Sequence, residues 1–333
     1  MAGLITPTTG SAHTRISGIG AYRPRRVVPN SEIVDAIDSS DQWIQERSGI
    51  KTRFRAGDGE SVIEMSEAAS RGALEMAGLD PTDIDAVVLA TVTHPYQTPA
   101  AAPALAHLMG MGNPAAFDIS AACAGYCHGI SLAHDMVRGG SARHVLVVGV
   151  ERLSDFTSPT DRGTAFIFGD GAGAAIVSPS ETPAIGPTVW GSEGDKWDVI
   201  AQNDSWVEVR DGNLGWPTIG MKGQSVFRWA VWGMPPIAQK ALDAAGVTVD
   251  QLDAFIPHQA NVRIIDAMCK QLKMPDHVVV ARDIVDSANT SAASVPLATE
   301  RLLREGLVKR GALALQIGFG AGLSYAAQVV VLP

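Results

Sequence analysis

The feature that most constrains this 333-residue chain is that it contains itself twice. The segment ALEMAGLDPTDIDAVVL from Ala73 aligns without gaps on ALDAAGVTVDQLDAFIP from Ala241, an offset of 168. Leu74 then matches Leu242, Gly78 matches Gly246 and Asp85 matches Asp253. Each copy reads as a helix stopped by a glycine, a short acidic turn and a buried strand. A second match follows at an offset of 171, where DISAACAG from Asp118 resembles NTSAASVP from Asn289. It places Cys123 opposite Ser294 and Asn289 opposite Asp118. After each comes an amphipathic helix, a turn and an apolar strand, HVLVVGVE from His144 and ALALQIGF from Ala312. Two matches in the same order at nearly one offset indicate duplication of a large unit.

Each half reads helix–strand–helix–strand–strand, and its strands are continuous apolar runs, as in a sheet covered on both faces. The expected fold is α/β, with two halves about a pseudo-twofold axis and the central helices between two sheets. The boundary is expected at the joint near Ser178–Gly186, which divides the chain into 1–182 and 183–333. Ahead of the repeat, Ser31–Gly49 reads as one or two short helices. There Ser39-x-x-Gln42 has the form of a capping box and Gly49 is the C-terminal stop. Residues 312–333 carry no charge, a stretch long enough to span a bilayer. Gly318, Gly320 and Gly322 interrupt it and β-branched residues follow, so two buried strands joined by a glycine loop are expected.

Composition narrows the function. Charged residues make up only 18% and hydrophobic residues 46%, which excludes a disordered or coiled-coil chain. A net charge of -9 argues against nonspecific binding to nucleic acid or to an anionic membrane, since both need clustered cations. The three cysteines, Cys123, Cys127 and Cys269, are too few and too oddly spaced for a disulfide framework, and the first residues show no signal pattern. A reduced, cytoplasmic setting is expected. Cys123, Cys127 and His128 lack a second pair at ligand spacing, so no metal site is expected. The paired glycines never complete G-x-G-x-x-G, so a dinucleotide fold has little support.

Three residues stand out for chemistry. Cys123 lies among small residues in SAACAGYCHG, where an amphipathic helix begins. A sulfur at a helix N-terminus favours the thiolate; the plainer reading is a small buried cysteine. His258 ends a strand in AFIPHQAN, a place where α/β folds present functional groups, although a hydrogen-bonded structural histidine fits equally. Asn289, in SANTSAAS, is either a helix cap or a site residue. The pseudo-twofold axis brings the N-termini of both central helices together, and with them Cys123, His258 and Asn289. That set is a nucleophile with polar partners able to stabilise an oxyanion. The loop 318–322 can add backbone N–H groups. Arg263 and Lys270 share a helix face, with Lys222 and Arg228 upstream. They form either a solvated face or a cationic patch for a phosphate-bearing group or an acidic carrier.

At these residues the chain resembles β-ketoacyl-[acyl-carrier-protein] synthase III, the thiolase-fold enzyme that starts bacterial type II fatty acid synthesis. The resemblance covers nearly the whole chain and includes SSDQWIQERSGIKTR, DISAACAGY, DRGTAFIFGDGAGAA, IPHQAN, NTSAAS and GFGAGLSY. It implies a five-layered α-β-α-β-α sandwich and a ping-pong decarboxylating Claisen condensation. Acyl-CoA is the substrate, malonyl-[acyl-carrier protein] is the second partner, and no cofactor is required. By resemblance, Cys123 holds the acyl group and the N–H groups of Cys123 and Ala321 form the oxyanion hole. His258 and Asn289 hold the thioester oxygen of the malonyl group, and Phe319 backs the nucleophile. Trp43 and Arg47 are expected to sandwich the CoA adenine, with Ser39 nearby. Arg162, Phe227, Ala260, Asn261 and Arg263 are expected along the pantetheine and phosphate path. Arg228, Arg263 and Lys270 are the expected carrier-protein contacts.

The resemblance further implies a homodimer whose sheets join across the interface, to which the strand near HVLVVGV and the segment 115–124 are suited. Thr98 stands where relatives reach into the partner's acyl pocket, and a small residue there admits longer or branched acyl groups. Two departures are visible. Ala288 replaces the glycine usual before Asn-Thr-Ser, which could shift Asn289, and the segment 203–220 looks short, which could widen or reshape the entrance. A starter-unit condensing enzyme or acyltransferase of a polyketide pathway would use the same residues. A catalytically dead chain-length factor is opposed by the intact Cys123.

Overall fold

The computed structural model describes residues 5–333. Ten strands form two five-stranded sheets. The first holds β1 (His13–Tyr22), β2 (Ala86–Ala90), β3 (Ala115–Ile119), β4 (Val145–Glu151) and β5 (Gly171–Ser180), in the order β1-β5-β4-β2-β3. The second holds β6 (Val189–Ser192), β7 (Ala254–Pro257), β8 (Val279–Val280), β9 (Leu313–Gly320) and β10 (Ser324–Val331), in the order β6-β10-β9-β7-β8. Each strand of the first sheet thus has a counterpart five places later. Pairing directions agree as well: β2 runs parallel to β3 and β4, and β7 runs parallel to β8 and β9. The duplication is a fact of hydrogen-bond topology.

Three helices recur in each half: α1 (Val62–Ala77), α2 (Ala101–Leu108) and α3 (Gly125–Gly139), then α4 (Gly223–Ala245), α5 (Val262–Leu272) and α6 (Ser294–Arg304). Helices α3 and α6 lie between the sheets and touch both. Helices α1 and α2 cover the outer face of the first sheet; α4 and α5 cover the second, which completes a five-layered thiolase-fold sandwich. The stops are those the repeat foretells: Gly78 and Gly246 end α1 and α4 with φ of 66° and 67°. Residues 312–333 form β9, a turn and β10, as expected.

Each half carries more than helix–strand–helix–strand–strand. Strand β1 was hidden because its sequence, HTRISGIGAY, reads as a glycine loop. The glycines are there for packing. A Cβ on Gly18 would lie 2.1 Å from the Ala73 carbonyl oxygen, and one on Gly20 would lie 2.1 Å from that of Ala69. They let α1 rest directly on the strand.

The second sequence match needs correcting. The 3-10 turns before the central helices span Ala122–Ala124 and Ser291–Ala293, and each opens on a left-handed residue, Ala122 at φ 44° and Ser291 at φ 46°. The structural offset is therefore 169, not 171. Cys123 corresponds to Ala292, and Ser294 corresponds to Gly125. Runs of Ser and Ala match each other at several shifts, so this stretch could not set its own register. Two further readings shift. The cap of the helix Asp41–Ser48 is Ser40, which accepts from Trp43 N at 3.1 Å, and not Ser39. Strand β4 lies inside its sheet, so the HVLVVGV strand is no edge; the edges are β1 and β3, and on β3 Phe117 is 38% exposed.

Ala288 sits at φ 57°, ψ -163°, a region that is nearly the preserve of glycine. Asn289 is held regardless. Its N–H donates to the Ile167 carbonyl at 2.9 Å, and its carbonyl accepts from Gly169 N at 3.0 Å. Strain of this kind costs on the order of 1–3 kcal/mol, against about 0.5–1 kcal/mol for the added freedom of a glycine when unfolded. Ala288→Gly should therefore stabilise the protein by about 1 kcal/mol, read as a higher urea midpoint. A lower midpoint would contradict the strain.

Candidate active site

A cavity of ≈ 1640 Å³ runs from the surface to Cys123. The sulfur sits on the 3-10 turn ahead of α3, because α3 and the strand end of β9 converge there. A Cβ on Gly320 would stand 2.8 Å from Cys123 Sγ, so only glycine leaves the space in front of the sulfur. The polar surroundings at Cys123 and Ala321 N–H and at Ser291 favour the thiolate. Burial nevertheless pushes the Cys123 thiol up to about 12. The expected helix-end thiolate is thus not the resting form: removal from water outweighs these surroundings.

His258 follows β7 and is 2% exposed. Its backbone N–H donates to the Ile317 carbonyl at 2.7 Å. Burial holds the imidazole down at about 3, so it is neutral. Its Nδ1 lies 2.7 Å from Ser294 Oγ, which also accepts from Gln259 N at 3.4 Å. Where the Ser294 hydroxyl donates to Nδ1, Nε2 carries the imidazole hydrogen, and His258 in that tautomer is a neutral N–H donor. Asn289 Oδ1 accepts from Ser291 N at 2.8 Å, which leaves the Nδ2 amide as the free donor. Phe319 lies edge-on to His258, with ring centres 5.3 Å apart.

Nearer the mouth, Trp43 is flanked by two guanidinium groups. Arg162 Cζ stands 4.9 Å from its ring centre and Arg47 Cζ 5.5 Å, while Phe166 packs edge-on at 5.2 Å. Asn261 caps α5, accepting from Arg263 N at 2.9 Å, and donates to the Arg47 carbonyl at 2.9 Å. Arg263 lies over the Phe227 ring at 5.1 Å. Ala260 and Arg228 also line the cavity.

The structure thus brings Cys123, His258, Asn289, Phe319 and Ala321 to one end, and Trp43, Arg47, Arg162, Phe227, Ala260, Asn261, Arg228 and Arg263 to the approach. Ser39, Thr98 and Lys270 do not line this cavity. Thr98 and Lys270 are exposed; Ser39 is half-buried beside the true cap. The segment 203–220 does not leave a gap. It folds into the helix Trp206–Gly212, and Trp206 and Trp216 form part of the cavity wall, their rings 5.3 Å apart. Trp216 Nε1 donates to the Asp155 carbonyl at 2.9 Å. The sequence reading gave Ser291 no part and took Ser294 only as the counterpart of Cys123, not as the partner of His258.

The comparisons with known proteins agree with this geometry. Residues 117–194 match the family model 3-oxoacyl-[acyl-carrier-protein (ACP)] synthase III, and residues 242–332 match the model of its C terminal part. The chain is 58% identical over 340 residues to β-ketoacyl-[acyl-carrier-protein] synthase III 1 of Streptomyces coelicolor, covering 99% of each. It is 50% identical over 330 residues to the mycobacterial β-ketoacyl-[acyl-carrier-protein] synthase III of Mycobacterium marinum, covering 99% of this chain and 98% of the relative. Among solved structures, the priming β-ketosynthase of the R1128 polyketide pathway superposes with a TM-score of 0.96 at 50% identity, covering 99% of both chains. The 3-oxoacyl-[acyl-carrier-protein] synthase III of Aquifex aeolicus gives 0.88 at 37%, covering 96% of this chain and 99% of that one. The chain belongs to the β-ketoacyl-[acyl-carrier-protein] synthase III family of condensing acyltransferases.

Proposed function

We propose that this enzyme joins an acyl-CoA starter to malonyl-[acyl-carrier protein] through a thioester on Cys123, the opening condensation of fatty acid synthesis. What carries the reading is the convergence of one thiol, two neutral N–H donors and two backbone N–H groups at the closed end of one long cavity. Cys123 Sγ attacks the acyl-CoA carbonyl, whose oxygen is received by the N–H groups of Cys123 and Ala321. CoA departs. The malonyl thioester then places its oxygen between His258 Nε2–H and Asn289 Nδ2–H. As CO₂ leaves, the enolate charge grows on that oxygen, and two donors already aimed at it lower the barrier. The carbanion attacks the acyl-Cys123 carbonyl and frees the sulfur. A neutral His258 suits this role because it donates without handing over a proton. Phe319, edge-on beside it, keeps water from the carbanion.

The approach suits CoA. The adenine fits against Trp43 beneath a guanidinium, and the nearer of the two is Arg162 rather than Arg47. Asn261, Ala260 and Phe227 border the pantetheine path. Arg228 and Arg263 line the mouth, and Lys270 is exposed further along the helix of Arg263; on an acidic chain these cations are apt for an acidic carrier. The unpaired β3 edge suits a homodimer with a continuous sheet, with Thr98 turned toward the partner's acyl pocket. The halves 1–182 and 183–333 each contribute to the one site. The steps require no cofactor, and a free catalytic thiol fits a reducing cytoplasm. No helix among the described residues is long and apolar enough to cross a membrane.

Intact mass spectrometry after mixing with acetyl-, isobutyryl- and longer acyl-CoAs should show one acyl adduct, lost in Cys123→Ala. Added malonyl-[acyl-carrier protein] should discharge it as β-ketoacyl product and CO₂. An adduct that malonyl-[acyl-carrier protein] cannot discharge would overturn the condensation, and uptake of acetyl alone would overturn the role given to Thr98. Trp43→Ala should raise KM for acyl-CoA about 5- to 150-fold, from a stacking energy of roughly 1–3 kcal/mol. Acylation by a short N-acetylcysteamine thioester, which lacks the adenine, should be unchanged; an equal loss would remove Trp43 from nucleotide binding. Sedimentation should give twice the 34.9 kDa chain mass, and a monomer would refute the dimer.

A further inference from the structure

Arg53 lies in the short strand Thr52–Arg55 and is fully buried. Its guanidinium bonds to uncharged oxygens. Nη1 donates to the Val28 carbonyl at 3.2 Å, and Nη2 donates to Asn30 Oδ1 at 2.7 Å and to the Phe166 carbonyl at 3.0 Å. Burial, with Arg55 close by, pushes the guanidinium down to about 10, so it still carries its charge near neutrality. A buried cation without a bonded carboxylate is costly. The oxygens it gathers belong to the two parts of the chain that border Trp43.

Asn30 carries the link onward on one side. It is buried, and its Nδ2 donates to the Ile50 carbonyl at 2.8 Å and to Asp41 Oδ1 at 2.6 Å. Asp41 opens the helix Asp41–Ser48, which presents Trp43 and Arg47. Only Ile44 and Ser48 of that helix are buried, so apolar packing fixes its place weakly. Polar ties hold both ends: Asn30 on Asp41 in the first turn, and Asn261 on the Arg47 carbonyl in the last. On the other side, Phe166 packs edge-on against Trp43, and Arg162 of the same segment stands over the same ring. One buried guanidinium thus joins both walls of the Trp43 site.

We propose that Arg53 is a positioning residue for CoA: through Asn30 and the Phe166 carbonyl it sets the spacing between the Trp43 helix and the 162–166 segment, and so the width of the slot that receives the adenine. The inference rests on the reading that Trp43 stacks on that base. A guanidinium suits the task because its rigid planar fork fixes several acceptors in set directions, which the single ammonium of a lysine does not. The Asn30 amide suits its place as well. Its oxygen faces a cation and its nitrogen faces the Asp41 carboxylate, so both bonds are charge-assisted and each polarises the amide in the sense that strengthens the other.

The test compares two acyl donors, acyl-CoA and the N-acetylcysteamine thioester of the same acyl group, which lacks the nucleotide. Asn30→Asp keeps an acceptor for Arg53 but sets a carboxylate against Asp41. It should raise KM for acyl-CoA roughly tenfold, the worth of one charge-assisted hydrogen bond, and leave kcat and use of the short thioester unchanged. Asp41→Asn added to it puts a donor back against that acceptor and should recover most of the loss. Arg53→Lys should show the same split between the two donors. An Asn30→Asp variant with unchanged KM for acyl-CoA overturns the positioning role. So does an equal loss with both donors, or a double variant that recovers nothing. Should Asn30→Asp fail to fold, the split in Arg53→Lys decides alone. A Trp43→Ala variant with unchanged KM for acyl-CoA would instead overturn the adenine reading beneath it.

Discussion

The site depends on how closely each half's 3-10 turn approaches a strand of the other half. Gly149 on β4 permits it on one side, since a Cβ there would lie 2.2 Å from the Ala292 carbonyl oxygen. Gly318 on β9 permits it on the other, with the Cys123 carbonyl oxygen 3.0 Å from where its Cβ would be. These two approaches are equivalent under the pseudo-twofold axis. They put Cys123 against the end of β9 and Ser291 against the end of β4, so residues far apart in sequence share one small volume. The abundance of glycine and alanine in this chain is therefore a geometric requirement of two turns meeting on an axis.

The same closeness sets the electrostatics. Removing Cys123, His258 and Glu151 from water favours the neutral form of each. Neutrality is useful at this site. An imidazole that stays neutral is a hydrogen-bonding group rather than an acid. Four guanidinium groups, those of Arg47, Arg162, Arg228 and Arg263, stand along the approach. The cavity thus carries its guanidinium groups along the approach, and a neutral thiol and imidazole at its floor.

Much of this was legible in the chain. The helix stops at Gly78 and Gly246 and the buried runs after them were plain, because a left-handed cap and a continuous apolar strand leave local signatures. His258 and Asn289 were legible because each sits where a strand or turn delivers a side chain to the axis. What failed did so for identifiable reasons. The Ser-Ala-Ala runs are too uniform to fix a register, so the match fell two residues out. Adjacent serines at 39 and 40 compete for one cap, and only backbone geometry decides between them. Strand β1 hides behind Gly18 and Gly20. The Ser291–Glu151 contact joins residues 140 apart, both of common types, and no local pattern announces it.

The register of the two sheets has one more consequence. Pairing of Ala86 with Val145 and of Ala254 with Ala314 sets Glu151 opposite Gly320 in the duplicated unit, just as Cys123 is opposite Ala292. Cys123 therefore lies against the bare strand end at Gly320, while in the other copy Ala292 takes the place of the cysteine and Glu151 that of the glycine. The ancestral symmetry survives in the backbone and is broken in four side chains. The pair of halves is committed to a single catalytic centre per chain, with one half holding the reactant and the other furnishing its surroundings.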